Sequence, residues 1–251
     1  MRYLLSIYKR AAHLHFLRWM RYRADVLVWI LTIWCMLAIQ AVFLFVTYSV
    51  SGGNFFGYSS NEIIGFFGTA LLASGLAQSV ITGVILTLSK AVWQGNLDHW
   101  LLQPPPFLFR IVTEELGIVW YWPHIIVGSG IVLYAFPASL WILAFASAIV
   151  ASTIEMAIVL IFCLPSIRWG RWNPDEGLWE YLESARSMPI GRTRSFMLWL
   201  ASFGVLQYSL ALEVITGRLS LLILVLISAA LWALALLLLK VLVRSYGSAS
   251  S

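Results

Sequence analysis

Six long apolar stretches constrain this chain more than any other feature of its sequence. Each has about 20 residues or more, the length that an α-helix needs to cross the hydrocarbon core of a bilayer. Apolar residues make up 61% of the chain and charged residues only 11%, whereas soluble domains carry about a quarter charged residues. This composition excludes a soluble enzyme. The predicted fold is an all-α polytopic membrane protein with six transmembrane helices, at residues 26–50, 63–88, 116–136, 138–164, 196–215 and 219–243.

The amino-terminal segment, residues 1–24, mixes basic, aromatic and apolar residues and precedes the first apolar stretch. Leu4, Ile7 and Ala11 recur at helical spacing, while Lys9 and Arg10 begin a basic face. This pattern predicts an amphipathic helix lying on anionic lipid. Residues 25–251 then form one transmembrane domain, with cytoplasmic segments at residues 89–106 and 165–195.

The basic residues predict the orientation of the chain in the membrane. Of the sixteen Lys and Arg residues, all except Arg218 fall in the amino-terminal helix, the connections after the second and fourth stretches, or the tail. Basic residues near span ends are retained on the cytoplasmic side. Both termini are therefore predicted to be cytoplasmic. A nucleic-acid partner is not indicated, because these residues are divided among membrane-proximal segments and form no single basic face.

Small residues recur on the second apolar stretch, at Gly68, Gly75, Ser79 and Gly83. Such residues let another membrane helix approach closely. Two interpretations stay open for this face. It packs either near a pathway through the membrane or against another helix of the same subunit.

Three ionisable residues fall within apolar stretches: His124 in the third, Glu155 in the fourth and Glu213 near the end of the fifth. Burying such groups is costly, so each is a functional candidate. His124 is also compatible with a plain hydrogen-bonded histidine, and either glutamate with a polar path or a bond to a neighbouring helix. The residue spacing indicates neither a catalytic site nor a metal site. No GxxxxGK[ST] loop is present, so ATP binding by that route is excluded.

The connection after the second apolar stretch predicts a short helix over residues 97–103. Gly95 can end the preceding helix, Asn96 can cap the next one, and Asp98 favours its first turn. The helix stops before Pro104. Its apolar residues suggest a docking element for another protein, and they are Leu97, Trp100, Leu101 and Leu102.

The same residues carry a resemblance to a known family. Gly95, Asn96, Leu97 and Asp98, followed by Leu101, Leu102, Gln103 and Pro104, resemble the G-x-L-D-x-x-L-L-x-P motif of bacterial type 2 ABC exporter permeases. The resemblance implies a permease subunit of an ATP-driven exporter in the bacterial inner membrane. Residues 97–103 would be the coupling helix that enters a cleft of a separate ATP-binding subunit.

That resemblance also implies the composition of the complex. Two permeases, identical or homologous, would work with two ATP-binding subunits that hold the ATP and Mg, while this chain holds no cofactor itself. Trp100 and Leu101 are the candidate contact anchors, because buried aromatic residues commonly dominate interfaces. The transported substrate is not indicated by the sequence.

A second cytoplasmic helix is predicted to begin with Asn173 as cap and Pro174 at its first position. Its apolar face would lie on the membrane or contact the ATP-binding subunit. Two alternatives to the exporter hypothesis stay open. One is an intramembrane lipid-modifying enzyme that uses His124 with Glu155 or Glu213, and the other is a non-catalytic scaffold or channel.

Overall fold

The computed structural model describes residues 2–50, 58–102, 106–114, 118–169 and 203–246, and the regular elements within these ranges are helices. Apolar residues dominate each long helix, as expected for segments whose backbone groups must be satisfied internally in lipid. In chain order the elements are α1 (Arg2–Arg21), α2 (Arg23–Val50), α3 (Ser60–Trp93), α4 (Asn96–Leu102), α5 (Phe107–Glu114), α6 (Ile118–Ala135), a 3₁₀ turn (Ala138–Leu140), α7 (Trp141–Cys163), α8 (Ser166–Trp169), α9 (Phe203–Ile215) and α10 (Leu221–Arg244).

Helix α3 is the centre of the described bundle. It begins with a capping box, in which the Ser59 hydroxyl accepts from the Glu62 N–H and the Glu62 carboxylate accepts from the Ser59 N–H. This reciprocal bonding satisfies donors that a helix start would otherwise leave unpaired. α3 packs along α6 and α7, and it also contacts α4, α5, α8 and α9. Movement of α3 would therefore change its contacts with six of the other described α-helices.

Glycines allow α3 and α6 to pack closely. A Cβ added to Gly68 would lie 2.6 Å from the Ile131 side chain, and one added to Gly75 would lie 2.9 Å from that of His124. A Cβ on Gly128 of α6 would lie 2.5 Å from the backbone nitrogen of Leu72. The two sequence-predicted glycines Gly68 and Gly75 thus pack against a helix of the same chain. Of the other two residues of that face, Ser79 donates to the Gly75 carbonyl at 2.7 Å and Gly83 is buried.

The bundle has two ends with different contents. We call one the hairpin end, where Tyr58 and the turn at residues 216–220 between α9 and α10 lie, and the other the α4 end. The larger apolar core extends from the hairpin end and includes Phe66, Tyr208 and Leu212, all fully buried. A second core lies at the α4 end, where α3, α4, α5, α7, α8 and α10 meet.

Four helical stretches of the described residues are long and apolar enough to cross a membrane. They are Arg23–Val42, Ser60–Val84, Ala138–Arg168 and Leu221–Arg244. The predicted third and fifth spans correspond to α6 and to α9, whose predicted first residues, 196–202, lie outside the described residues. The count of six spans therefore stays a prediction. α2 and α10 are mostly exposed along their lengths, as expected for helices that face lipid or another subunit.

One described helix was not predicted from the sequence. Residues 107–114 form this helix, α5, which packs on α3 through the fully buried Ile111. α6 continues as one helix through Pro123. The helix predicted to begin after Asn173 lies outside the described residues.

The predicted amino-terminal helix is present as α1, and Tyr22 joins it to α2. The Tyr22 N–H bonds to the Arg18 carbonyl at 3.3 Å, and the Val26 N–H bonds to the Tyr22 carbonyl at 3.1 Å. Where α1, α2 and α6 meet, the Trp120 ring packs edge-on against Trp19 and Trp29, with centroids 6.3 and 5.6 Å away. These contacts attach α1 to the bundle.

Candidate docking helix and buried carboxylates

Helix α4 is held against the rest of the chain by part of its own apolar surface. Leu97 is fully buried and Trp100 is 7% exposed. Both pack in the core at the α4 end, with neighbours that include Leu88 of α3 and Ile111 of α5. Burying side chains of this size stabilises the contact by about 2 kcal/mol each. α4 is therefore a fixed part of the bundle surface.

The turn from α3 into α4 depends on Gly95. Its φ is 73°, in the left-handed region that favours glycine, and its N–H bonds to the Val92 carbonyl at 3.1 Å. A residue with a side chain would be strained there, although no atom lies within 4 Å of an added Cβ. Only Gln94 and Gly95 separate the two helices. The direction of α4 is thus determined by backbone conformation.

A cation–π contact fastens α4 to α5. The guanidinium carbon of Arg110 lies 5.9 Å from the centroid of the Trp100 ring. Arginine above an indole face is an attractive arrangement, worth about 0.5–1 kcal/mol where it is partly hydrated. This contact adds to the apolar packing that holds Trp100 inward.

The other side of α4 is open to the surroundings. Leu101 is 36% exposed and Leu102 is 86% exposed, Asn96 and His99 are exposed, and Asp98 is half-buried. Of the two sequence-predicted anchors, Leu101 thus lies on the available surface and Trp100 lies in the core. Leu102 is the most exposed apolar side chain of the helix. His99 also lies on this exposed side of α4 and was not among the predicted partner-binding residues. Its spacing of three from Asn96 is the signal that places both residues on one face of the helix.

The Glu155 carboxylate joins three helices near the middle of the bundle. Glu155 lies on α7 and is 4% exposed. Its Oε1 accepts from Nε2 of Gln78 on α3 at 3.2 Å, and its Oε2 accepts from the Tyr208 hydroxyl on α9 at 2.5 Å. Gln78 and Tyr208 were not among the predicted site residues. The sequence signal for Gln78 was a polar residue within an apolar stretch.

The Glu213 carboxylate belongs to a second polar cluster, at the hairpin end. Its Oε1 accepts from the Tyr58 hydroxyl at 2.5 Å and lies 3.6 Å from Nη1 of Arg218. Nη2 of Arg218 lies 3.7 Å from the Glu62 carboxylate, and the guanidinium lies 5.0 Å from the Tyr58 ring centroid. Burial and the bond to Glu213 raise the pKa of Tyr58 to about 12. The cluster connects the start of α3 to the turn between α9 and α10.

His124 lies on α6 beside α3, where its Cβ faces Gly75. Its ring centroid lies 5.5 Å from that of Tyr121. The two carboxylates that were candidates to act with it, Glu155 and Glu213, are bonded to residues of other helices and turns. Within the described ranges, no three His, Cys, Asp or Glu side chains are grouped to hold a metal ion.

The comparison with protein families decides the class of this chain. The model of the family described as ABC-2 family transporter protein matches residues 34–250, which include nearly all of the bundle. The chain belongs to the ABC-2 transporter family. It is a multi-pass membrane permease, a component of ABC transport. No curated protein and no solved structure matches the chain.

Membership in the ABC-2 family gives the two sets of residues different roles to test. An ABC-2 permease associates with an ABC ATP-binding subunit, and that contact requires exposed side chains. On α4 these are Leu101 and Leu102. Movement within the permease would involve the hydrogen bonds that join its helices. Glu155 and Glu213 accept such bonds. The roles of these residues stay predictions.

Proposed function

We propose that this ABC-2 permease is the transmembrane subunit of an ATP-driven exporter in the bacterial inner membrane, with α4 as the docking helix for a separate ATP-binding subunit. The observation that carries the proposal is the division of α4 into two sides. Leu97 and Trp100 anchor it in the core, and Leu101 and Leu102 are presented outward. An exposed apolar pair on a rigid support is typical of an interface anchor.

The orientation of the proposed complex follows from charge. Lys90, Arg110, Arg168, Lys240 and Arg244 belong to elements at the α4 end or close to it, whereas Arg218 lies at the hairpin end. Under the positive-inside rule the α4 end faces the cytoplasm, where ATP is available. Six spans would then place both termini on that side.

The assembly in this proposal contains two permeases and two ATP-binding subunits, which bind ATP and Mg. The broad apolar surfaces of α2 and α10 are available for lipid or for the second permease. Nucleotide binding would bring the two ATP-binding subunits together and move the α4 helices. The permeases would then change their contact and move the substrate outward.

The test is affinity purification of the permease from its native membrane in mild detergent, with identification of the proteins that accompany it. The wild type is expected to carry a nucleotide-binding subunit. Leu101→Asn combined with Leu102→Asn should reduce that recovery at least tenfold, because removing an apolar side chain from the centre of an interface costs about 1–2 kcal/mol.

Two control variants keep the result interpretable. Leu102→Met keeps an apolar side chain of similar volume and should retain the partner. Trp100→Ala removes a core side chain and should instead lower the yield of folded permease. Wild-type permease that carries no ATPase under several gentle conditions would overturn the proposed function. Retention of the partner by the double Asn variant would overturn the docking role of Leu101 and Leu102.

A further inference from the structure

One short segment of α7 is bonded to three neighbouring helices. Glu155 accepts hydrogen bonds from Gln78 of α3 and Tyr208 of α9. Two residues earlier, the Thr153 hydroxyl lies 2.8 Å from that of Ser228 on α10, and the Thr153 carbonyl accepts from the Trp232 indole at 3.0 Å. The described helices α3, α7, α9 and α10 are therefore linked at one level of the bundle by side-chain hydrogen bonds.

These bonds lie in surroundings where apolar packing alone would hold helices together. The positions around Glu155 on α7 are buried and mostly apolar, for example Ala151, Ile154 and Ile158. A carboxylate there carries a desolvation cost that an apolar residue would avoid, so its presence points to a role beyond stability. A hydrogen bond also differs from apolar packing in being directional, since it weakens steeply when its atoms shift.

Helix α3 connects this level to the docking helix. It is continuous over 34 residues, or about 50 Å at the rise of an α-helix. It ends two residues before α4, and its last turns share a core with Leu97 and Trp100. A force applied to α4 is therefore transmitted to α3, on which Gln78 lies about 20 Å from the α3 end.

We propose that Glu155 is a positioning residue that makes α3, α7 and α9 move together, so that displacement of α4 reaches α9 and the turn after it. The partly exposed pair of Arg218 with Glu62 is only a weak second link between α3 and that turn. This inference rests on the proposed docking function of α4. Each carboxylate oxygen accepts from a different helix, so separation of α3 or α9 from α7 breaks a bond. Without the carboxylate, α3 can shift along its glycine-lined contact with α6 while α9 stays in place.

The experiment uses the permease–ATPase complex, with the exposed Cys35 replaced by Ser. Two exposed positions report on the two ends: Gln94→Cys beside α4, and Ser220→Cys at the start of α10, where the serine side chain makes no capping bond. The modification rate of each cysteine by a maleimide is measured with and without AMP-PNP. In otherwise wild-type protein, nucleotide is expected to change both rates.

Two single variants, Glu155→Leu and Tyr208→Phe, should each leave the nucleotide-dependent change in modification rate at position 94 as it is in wild type. Each should reduce the change at position 220 at least threefold. Glu155→Gln keeps an oxygen acceptor and should retain part of the response. The matched control is Ser147→Ala on the same helix, whose buried hydroxyl bonds to the Leu143 carbonyl of α7 itself. It should behave as wild type. Each variant is first checked for recovery of the complex and for its melting temperature.

Two failures are distinguishable. If otherwise wild-type protein shows no nucleotide response at position 94, α4 does not respond to the ATPase, and both the proposed function and this inference are overturned. The other failure is a normal nucleotide response at position 94 together with a response at position 220 that is the same in wild type and in Glu155→Leu. That result overturns this inference alone. A purely structural role would lower the melting temperature while leaving the ratio of the two responses intact, which also overturns it.

Discussion

Glu155 in the middle of the bundle and Glu213 at the hairpin end each accept a tyrosine hydroxyl at 2.5 Å, but in different surroundings. Around Glu155, the bonds from Gln78 and Tyr208 come from neutral donors within packed helices. Beside Glu213 lies Arg218, whose side chain is 47% exposed and reachable by water and salt. The tyrosine–glutamate hydrogen bond is thus enclosed by packed helices at Glu155, whereas at Glu213 water and salt can reach the neighbouring groups. Substitutions at the two levels should therefore differ in size and in sensitivity to solution conditions.

The largest difference is expected from glycines at the two levels. Gly128→Val places carbon 2.5 Å from the Leu72 backbone nitrogen, so α3 and α6 must separate. Gly65→Ala, nearer the hairpin end, meets Cζ of Phe136 at 2.2 Å, which is the far end of a side chain and can be displaced by a small change of χ1 without moving a backbone. We expect the first change to cost about 3 kcal/mol or more and the second about 1 kcal/mol. Melting temperatures in detergent test this, and equal losses would contradict the distinction.

The next largest effect is expected from the two tyrosine hydroxyls. Tyr208→Phe removes a donor from a buried carboxylate and should lower the unfolding free energy by about 2 kcal/mol. Tyr58→Phe should cost about 1 kcal/mol, because Arg218 and water still satisfy Glu213. The measurement is denaturant or thermal unfolding of both variants beside wild type. A larger loss from Tyr58→Phe would reverse the comparison.

A pH dependence is expected at the hairpin end. The pKa of Tyr58 is raised from 10.0 to about 12 by burial and by the bond to Glu213. A folded-state pKa above the unfolded value means that the stabilisation is fully present below pH about 10 and is lost as pH rises towards about 12. The difference in melting temperature between wild type and Tyr58→Phe should therefore be constant from pH 7 to 9 and shrink above pH 10. A difference that grew with pH would refute the assignment.

The smallest effect is expected from the exposed ion pairs. Arg218→Ala removes contacts of 3.6 and 3.7 Å to Glu213 and Glu62. Partly exposed pairs contribute about 0.2–1 kcal/mol, and salt screens them. The loss should fall further when NaCl is raised from 50 mM to 1 M, a range that leaves the Tyr208→Phe loss unchanged. Identical salt dependence of the two variants would show that the two levels do not differ in solvent access.

Much of the architecture could be predicted because membrane spans follow from local composition. The apolar stretches indicated the positions of α2, α3, α7 and α10, and the family resemblance agrees with the ABC-2 match. α5 was not predicted because its eight residues are too few for their apolar spacing to distinguish a helix from a loop. That spacing matches a buried helical face only where α3 packs against it.

The bonded partners of the buried carboxylates could not be predicted. Gln78 and Tyr208 lie 77 and 53 residues from Glu155 in the chain, and which face of each helix turns inward depends on three-dimensional packing. The same limit applied to α4, where composition indicated an apolar docking helix but not which side was buried. Trp100 and Leu101 were the expected anchors, Trp100 because buried aromatic residues commonly dominate interfaces. The large apolar ring of Trp100 is also why the core retains it.

The order of Gln78, Glu155 and Tyr208 along the chain has a consequence for biosynthesis. α3 and α6 are synthesised before α7, and their glycine contacts allow them to pair early. When α7 follows, Glu155 meets a bundle that already contains the amide of Gln78, so the acidic side chain enters lipid beside one of its donors. The hydroxyl of Tyr208 is added only after residues 170–202 have been made. The bonds of Glu155 are therefore completed late in insertion, and only α10, with the Ser228 and Trp232 contacts to Thr153, is added after them.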